Sequence, residues 1–258
     1  MAIEQIERDI AALEVVVKEI AAEFHRAYTS YLTALGRAVR QQLILASYHL
    51  CTQGYPEAFL SLSFNQRQQL QQAIRSLGKD AVEQLITELK VGEHRSQEPG
   101  MLDSTQIYPA KPMDLVQWQQ NLEQAIADTL KKVSRETNSL LQQTGILPSK
   151  LPPPVLEVAL DASEAAGETM ASPPNLLKLV IETEHKEESQ ESTVTNIIAI
   201  NMRLSEIEFA DADSRAGRNQ IKHLETKARS LFREYLKKQQ ERSIASAEVA
   251  WRASWFED

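Results

Sequence analysis

Apolar side chains recur at intervals of three and four residues along much of this chain, the spacing that lines one side of an α-helix. Ile3, Ile6, Ile10, Leu13, Val17, Ile20 and Phe24 keep a strict three-four alternation, and the stripe then moves by one position to Tyr28, Tyr31/Leu32, Leu35, Val39, Leu43, Ala46 and Leu50. A regular supercoil would hold its seven-residue repeat. The drift therefore predicts a helix over about 2–52 that packs against other helices of the same chain, with Gly36 inside it marking a close helix crossing.

A second long stripe, Leu115, Trp118, Leu122, Ile126, Leu130, Val133, Thr137 and Leu140/Leu141, predicts a helix over 113–143 that stops before Gly145. The third runs from Thr193 to the end: Ile197, Ile200, Leu204 and Ile207, then Ile221, Leu224, Ala228, Leu231 and Tyr235. It lapses over 210–217, where a kink or break is expected, with Asp213 or Ser214 capping the new start.

Between these long stripes the pattern is shorter. Ser63 three residues before Gln66 resembles a capping box opening a helix over 64–77, Gly78 reads as its stop, and a further helix follows over 80–90. Together they predict a helical hairpin, with the glutamines Gln66, Gln68, Gln69, Gln71 and Gln72 on its wet side. Residues 93–112 hold Pro99-Gly100, Pro109 and Pro112 without periodicity, a loop of about twenty residues, longer than a compact domain usually keeps. The run Leu147–Pro154 is a stiff proline-rich connector. A short helix over 155–166, then one from Leu176 to about Glu184 opened by Ser172-Pro173-Pro174-Asn175, make an acidic two-helix segment, and a charged linker leads into the third stripe.

The expected fold is all-α: an elongated bundle of three long amphipathic helices (2–52, 113–143 and 194–255) with a short helical hairpin and a small acidic helical insertion. Three regions follow: an N-terminal helical bundle over 1–146, the connector and acidic segment over 147–192, and a long C-terminal helix over 193–258 that packs back on the N-terminal helices.

Charge changes the picture mainly at the C-terminal end. The 258-residue chain carries a net charge of −8, yet residues 215–242 hold nine Lys and Arg against three Glu. Arg215, Arg218, Lys222, Arg229 and Arg233 fall on one helix face and form a basic stripe that either faces phosphates or an acidic partner, or is a solvated face, the expected reading. Just upstream, residues 155–191 hold nine acidic and two basic residues, a module that either covers the stripe or reflects ordinary packing, again the expected reading. At the end of the chain Trp251 and Trp255 lie one turn apart with Phe256 beside them. Such aromatics either staple the segment to its own domain, the reading we expect, or anchor a partner, because they bury much area at little entropy cost.

Site chemistry adds little. A single cysteine, Cys51, excludes an internal disulfide, and its place in an apolar run reads as a buried thiol. The five histidines are scattered, so no metal-ligand spacing exists, and Asp211 with Asp213 is too small a set for a cation. Neither a glycine-rich phosphate loop, nor a His-Glu-x-x-His, nor a Gly-x-Ser-x-Gly occurs, so no catalytic residue, cofactor or metal is assigned. No apolar run approaches the roughly 20 residues of a membrane span. The acidic, helix-patterned start resembles neither a signal nor a transit peptide, which sets a cytoplasmic expectation.

Pro173-Pro174-Asn175-Leu176-Leu177, the run Asn201–Ala210 and the tail Ala250–Phe256 are similar to uncharacterised helical proteins of cyanobacteria. That resemblance implies a bacterial cytoplasm and no particular activity. The resulting expectation is a non-enzymatic interaction or scaffold protein that presents amphipathic helices to a protein partner. The alternatives are a nucleic-acid- or ribosome-associated factor using the basic stripe, and a peripheral membrane adaptor.

Overall fold

The computed structural model describes residues 2–94, 111–148, 173–183 and 193–255. Its elements are α1 (Ala2–His49), which runs into a π-helical turn (Leu50–Gly54), α2 (Pro56–Ser61), α3 (Phe64–His94), α4 (Pro112–Gln143), β1 (Leu176–Thr183), β2 (Thr193–Ile200), α5 (Leu204–Ala210) and α6 (Ala212–Ser254). The described residues are mainly helical, with one two-stranded antiparallel sheet. They form two compact units, each assembled from separated stretches of chain: 1–31, 87–124 and 216–258 in the first, 32–86 and 125–215 in the second.

In the second unit α1 and α3 approach closely through a glycine from each. A Cβ on Gly36 would stand 2.9 Å from Val82 Cγ1, and one on Gly78 would stand 3.2 Å from Arg40 Cγ. The crossing expected at Gly36 is there. The helical hairpin expected over 64–90 is not, because Gly78 lies inside one continuous helix: a glycine that admits a neighbouring backbone leaves the same sequence signal as a helix stop. The capping box at the start of α3 is formed, with Ser63 N–H donating to Gln66 Oε1 (2.8 Å) and Gln66 N–H to Ser63 Oγ (3.3 Å).

The expected helix over 176–184 and the first part of the expected 193–258 helix are strands instead. Leu176 pairs with Ile200 and Thr183 with Thr193 in an antiparallel hairpin. Six of the eight β2 residues, Thr193, Val194, Thr195, Ile197, Ile198 and Ile200, are β-branched, which favours extended backbone over helix. The outer edge of β2 is closed by side chains. Tyr55 Oη takes the N–H of Ile198 (2.9 Å) and donates to its carbonyl (3.2 Å), while Asn138 accepts from Ile200 N–H (2.8 Å) and donates to its carbonyl (2.9 Å). An unpaired buried edge group costs about 1–3 kcal/mol, so these two residues remove a penalty that a two-strand sheet would otherwise carry.

Asn175, fully buried at φ 60°, turns the chain into β1. Asparagine tolerates this left-handed geometry, and here its carbonyl accepts from Asn201 N–H (2.9 Å), its Oδ1 from Arg203 N–H (2.9 Å), and its own N–H donates to the Glu206 carboxylate. The sequence expectation read this asparagine as part of a helix opening. The short helix expected over 155–166, the 93–112 loop from 95 to 110, and most of the proline-rich connector lie outside the described residues.

In the first unit, α1 residues Phe24, Tyr28 and Tyr31 are fully buried, and Trp118 of α4 meets the Tyr28 ring edge-on at 5.5 Å. Leu115 and Leu122 of α4, with Ile221 and Leu224 of α6, are buried in the same unit, as are Val17 and Ile20 of α1.

Candidate interaction surface

The start of α6 is set by Asp211. Its Oδ1 accepts from both the N–H and the Oγ of Ser214 (2.7 Å each), so Asp211 is the cap, and the expected cap residues Asp213 and Ser214 sit inside the first turn. Burial pushes the Asp211 carboxyl up, but the Ser214 bonds outweigh it and hold the group below the usual aspartate range. Asp213 pairs with Arg37 at 3.4 Å on an exposed surface. The two aspartates thus have separate roles, and no cluster of potential metal ligands occurs among the described residues.

Within the first unit α6 runs antiparallel to the beginning of α1. Gly217 fits against Tyr31, where a Cβ would come within 3.0 Å of Tyr31 Cβ. Lys227 reaches Glu23 (3.6 Å), Tyr235 Oη donates to Glu14 (3.3 Å), and Lys238 pairs with Asp9 (3.0 Å). The mutual hydrogen bond lowers the Asp9 pKa and raises that of Lys238.

The basic stripe divides at Arg218. Its guanidinium donates to Glu123 Oε1 and to Tyr31 Oη, both at 2.6 Å, and lies 4.5 Å from the Tyr31 ring centroid. Tyr28 Oη donates to the same Glu123 oxygen at 2.6 Å. Burial, reinforced by the Glu123 charge, drives the Tyr28 pKa far above the ordinary phenol range, so this hydroxyl stays a donor. Arg218 is therefore a structural cation holding α1, α4 and α6 residues together. Sequence reading missed Glu123, Tyr28 and Tyr31 as its partners; two tyrosines inside an otherwise aliphatic stripe were the available signal, since a buried phenol needs a partner.

Arg215, Lys222, Arg229 and Arg233 remain exposed. Arg229 and Arg233 border a groove of about 680 Å³ between α4 and α6, floored by Val116, Ala228 and Phe232 and flanked by Gln119, Gln120 and Glu123. Glu225, on the same wall, accepts from Gln119 at 2.6 Å.

From 246 to 255 every residue of the chain is exposed. The helical repeat aligns Leu236, Gln240, Ile244, Ala247, Trp251 and Trp255 on one face, and of these Trp251 is 67% exposed and Trp255 63%. Their rings meet each other at 5.8 Å. For these two tryptophans the expected internal staple is thus overturned: α6 continues for some sixteen residues beyond Lys238, which pairs with Asp9 of α1, and both rings stand in solvent. Phe256 lies outside the described residues.

Cys51 is buried as expected, and burial pushes its thiol up to about 11, which leaves it protonated and a poor nucleophile at neutral pH. No helix of the described residues is long and apolar enough to cross a membrane. The chain matches no protein-family model, no curated protein and no solved structure.

Proposed function

We propose that the chain is a non-enzymatic interaction protein whose docking element is the outer part of α6, presented as an amphipathic helix to an apolar groove on a protein partner. The observation that carries this reading is the solvent exposure of Trp251 and Trp255 on one helical face with Leu236 and Ile244. Exposed paired tryptophans are costly to leave in water, and anchors of this kind, spaced by whole helical turns, are what helix-accepting grooves bind.

The test is affinity capture with the intact chain and with a Trp251→Ala/Trp255→Ala double variant. A protein that the parent retains at high salt and the double variant loses supports the reading. Recovery of RNA or DNA that disappears on charge reversal at Lys222, Arg229 and Arg233 would favour the nucleic-acid alternative, which loses Arg218 to the internal ion pair and keeps fewer free cations. Flotation with anionic vesicles that depends on the tryptophans would favour the membrane alternative.

A further inference from the structure

The groove beside α4 and the two exposed tryptophans lie at opposite ends of one face of α6. The groove holds about 680 Å³, is lined by Val116 of α4 with Ala228 and Phe232 of α6, and carries Arg229 and Arg233 on its rim. Steps of four residues lead from Phe232 to Leu236, Gln240 and Ile244, and a step of seven leads on to Trp251, so the groove floor and the aromatic end belong to a single stripe. α4 begins at Pro112, one turn before Val116, and farther along α6 the stripe stands in solvent, with Leu236 50% exposed and Ile244 52%.

About Gln240 the stripe has nearly the same form in both directions. Leu236 and Ile244 lie four residues to either side, and farther out Trp251 and Trp255 correspond to Arg229 and Glu225 in the groove. A face with this symmetry is complementary to a reversed copy of itself, which is what an isologous twofold contact requires. Charge agrees, because the reversed copy sets the exposed Glu248 beside the exposed Arg233 and within about a turn of the exposed Lys237. The rim agrees as well: Arg229 and Arg233 offer guanidinium groups to indole rings, and the Glu225 carboxylate offers an acceptor for an indole N–H. Four indoles at about 150 Å² each supply roughly 600 Å², and Leu236, Ile244 and the groove floors bring the total to about the 1,000 Å² that a specific interface needs.

Resting on the reading of outer α6 as a docking helix, we infer that the apolar groove it enters is the α4/α6 groove of a second copy of this chain. Two α6 helices pair antiparallel about a twofold axis at Gln240, and Trp251 and Trp255 of each fill the groove beside Val116 and Phe232 of the other. Both grooves and both pairs of anchors are then covered at once, so the contact closes at two copies. Gln240 stands at the axis, and a single polar side chain in an apolar seam specifies register.

Sedimentation equilibrium of the full chain over about 1–200 µM tests it, the micromolar range in which an interface of this size associates. A monomer–dimer equilibrium is expected. Trp251→Ala/Trp255→Ala and, from the other side of the contact, Val116→Lys should each weaken it about tenfold or more. Val116 is 37% exposed and both tryptophans are more so, hence these variants fold, as circular dichroism will verify. Cysteine pairing reads the register: Leu236→Cys mixed with Ile244→Cys should give a disulfide-linked dimer, and Leu236→Cys alone should not. Cys51 is buried and stays out of that reaction. A chain that is monomeric throughout the range overturns the assignment; if capture of a different protein then still depends on the tryptophans, the docking role of α6 stands without it. A dimer that persists in Val116→Lys, or a disulfide formed by Leu236→Cys alone, overturns it too.

Discussion

Helices α1 and α6 carry apolar stripes of similar length and end very differently. Along α1 the stripe is buried from Val17 to Ala46, and Phe24, Tyr28, Leu35 and Leu43 are all at 0% exposure. Along α6 the last fully buried side chain is Leu224, and the apolar face then continues through Leu236, Ile244, Trp251 and Trp255 in solvent. Periodicity states only that a helix has a face to bury; what covers that face is decided by the rest of the chain or by another molecule. The contrast is between a helix face that the chain itself covers and one that it leaves in solvent.

Substitutions on the buried face of α1 and on the exposed outer end of α6 should therefore differ by about an order of magnitude in their effect on stability. The largest effect is expected at Phe24→Ala, where removing a fully buried ring costs about 3–5 kcal/mol, read as a large fall in the urea midpoint. A loss under about 1 kcal/mol would show that the α1 face is not the core. Next is Arg218→Ala, which leaves Glu123 with only the Tyr28 hydroxyl and is expected to cost about 2–4 kcal/mol, discounted for the partial exposure of both partners. Tyr31 loses its cation–π contact in the same variant. If Arg218→Ala were neutral, Arg218 would rejoin the free basic stripe. Gly36→Val forces side-chain atoms into Val82 and should cost about 1–3 kcal/mol.

Asp211→Ala removes the α6 cap at about 1 kcal/mol. Because the folded Asp211 pKa is depressed, its contribution is present above the unfolded value near 3.9 and is lost as pH falls through the lower folded value. Acid titrations of stability should accordingly be shallower below about pH 4 in the variant than in the parent. The smallest effect belongs to Trp251→Ala/Trp255→Ala, expected within about 0.5 kcal/mol of the parent, since neither ring covers the interior. A loss of several kcal/mol there would restore the internal staple.

Long helices were legible because periodicity and end signals agree: α1 and α4 fall where the stripes and the Gly145 stop placed them. The hairpin β1–β2 was not. Ile197, Ile200, Leu204 and Ile207 have helical spacing by coincidence across a strand-to-helix junction, and the β-branched density of 193–200 was the competing signal. Gly78 misled for a related reason, since a sequence does not say whether a glycine ends a helix or admits a neighbour. Of the candidate site, the basic and aromatic residues were visible as residue types. Which of them are committed was not, because the partners of Arg218 come from residues about 95 and 187 positions away in the chain.

Site-specific photo-crosslinking in the native cell tests the proposed docking role of α6 most directly, with p-benzoylphenylalanine placed at Ala247, in the middle of the exposed face, and at Thr33, an exposed position on α1 as the control. A protein adduct at Ala247 that is absent at Thr33 and lost when Trp251 and Trp255 are alanine is the predicted result. No protein adduct at Ala247, or an equal one at Thr33, would contradict it.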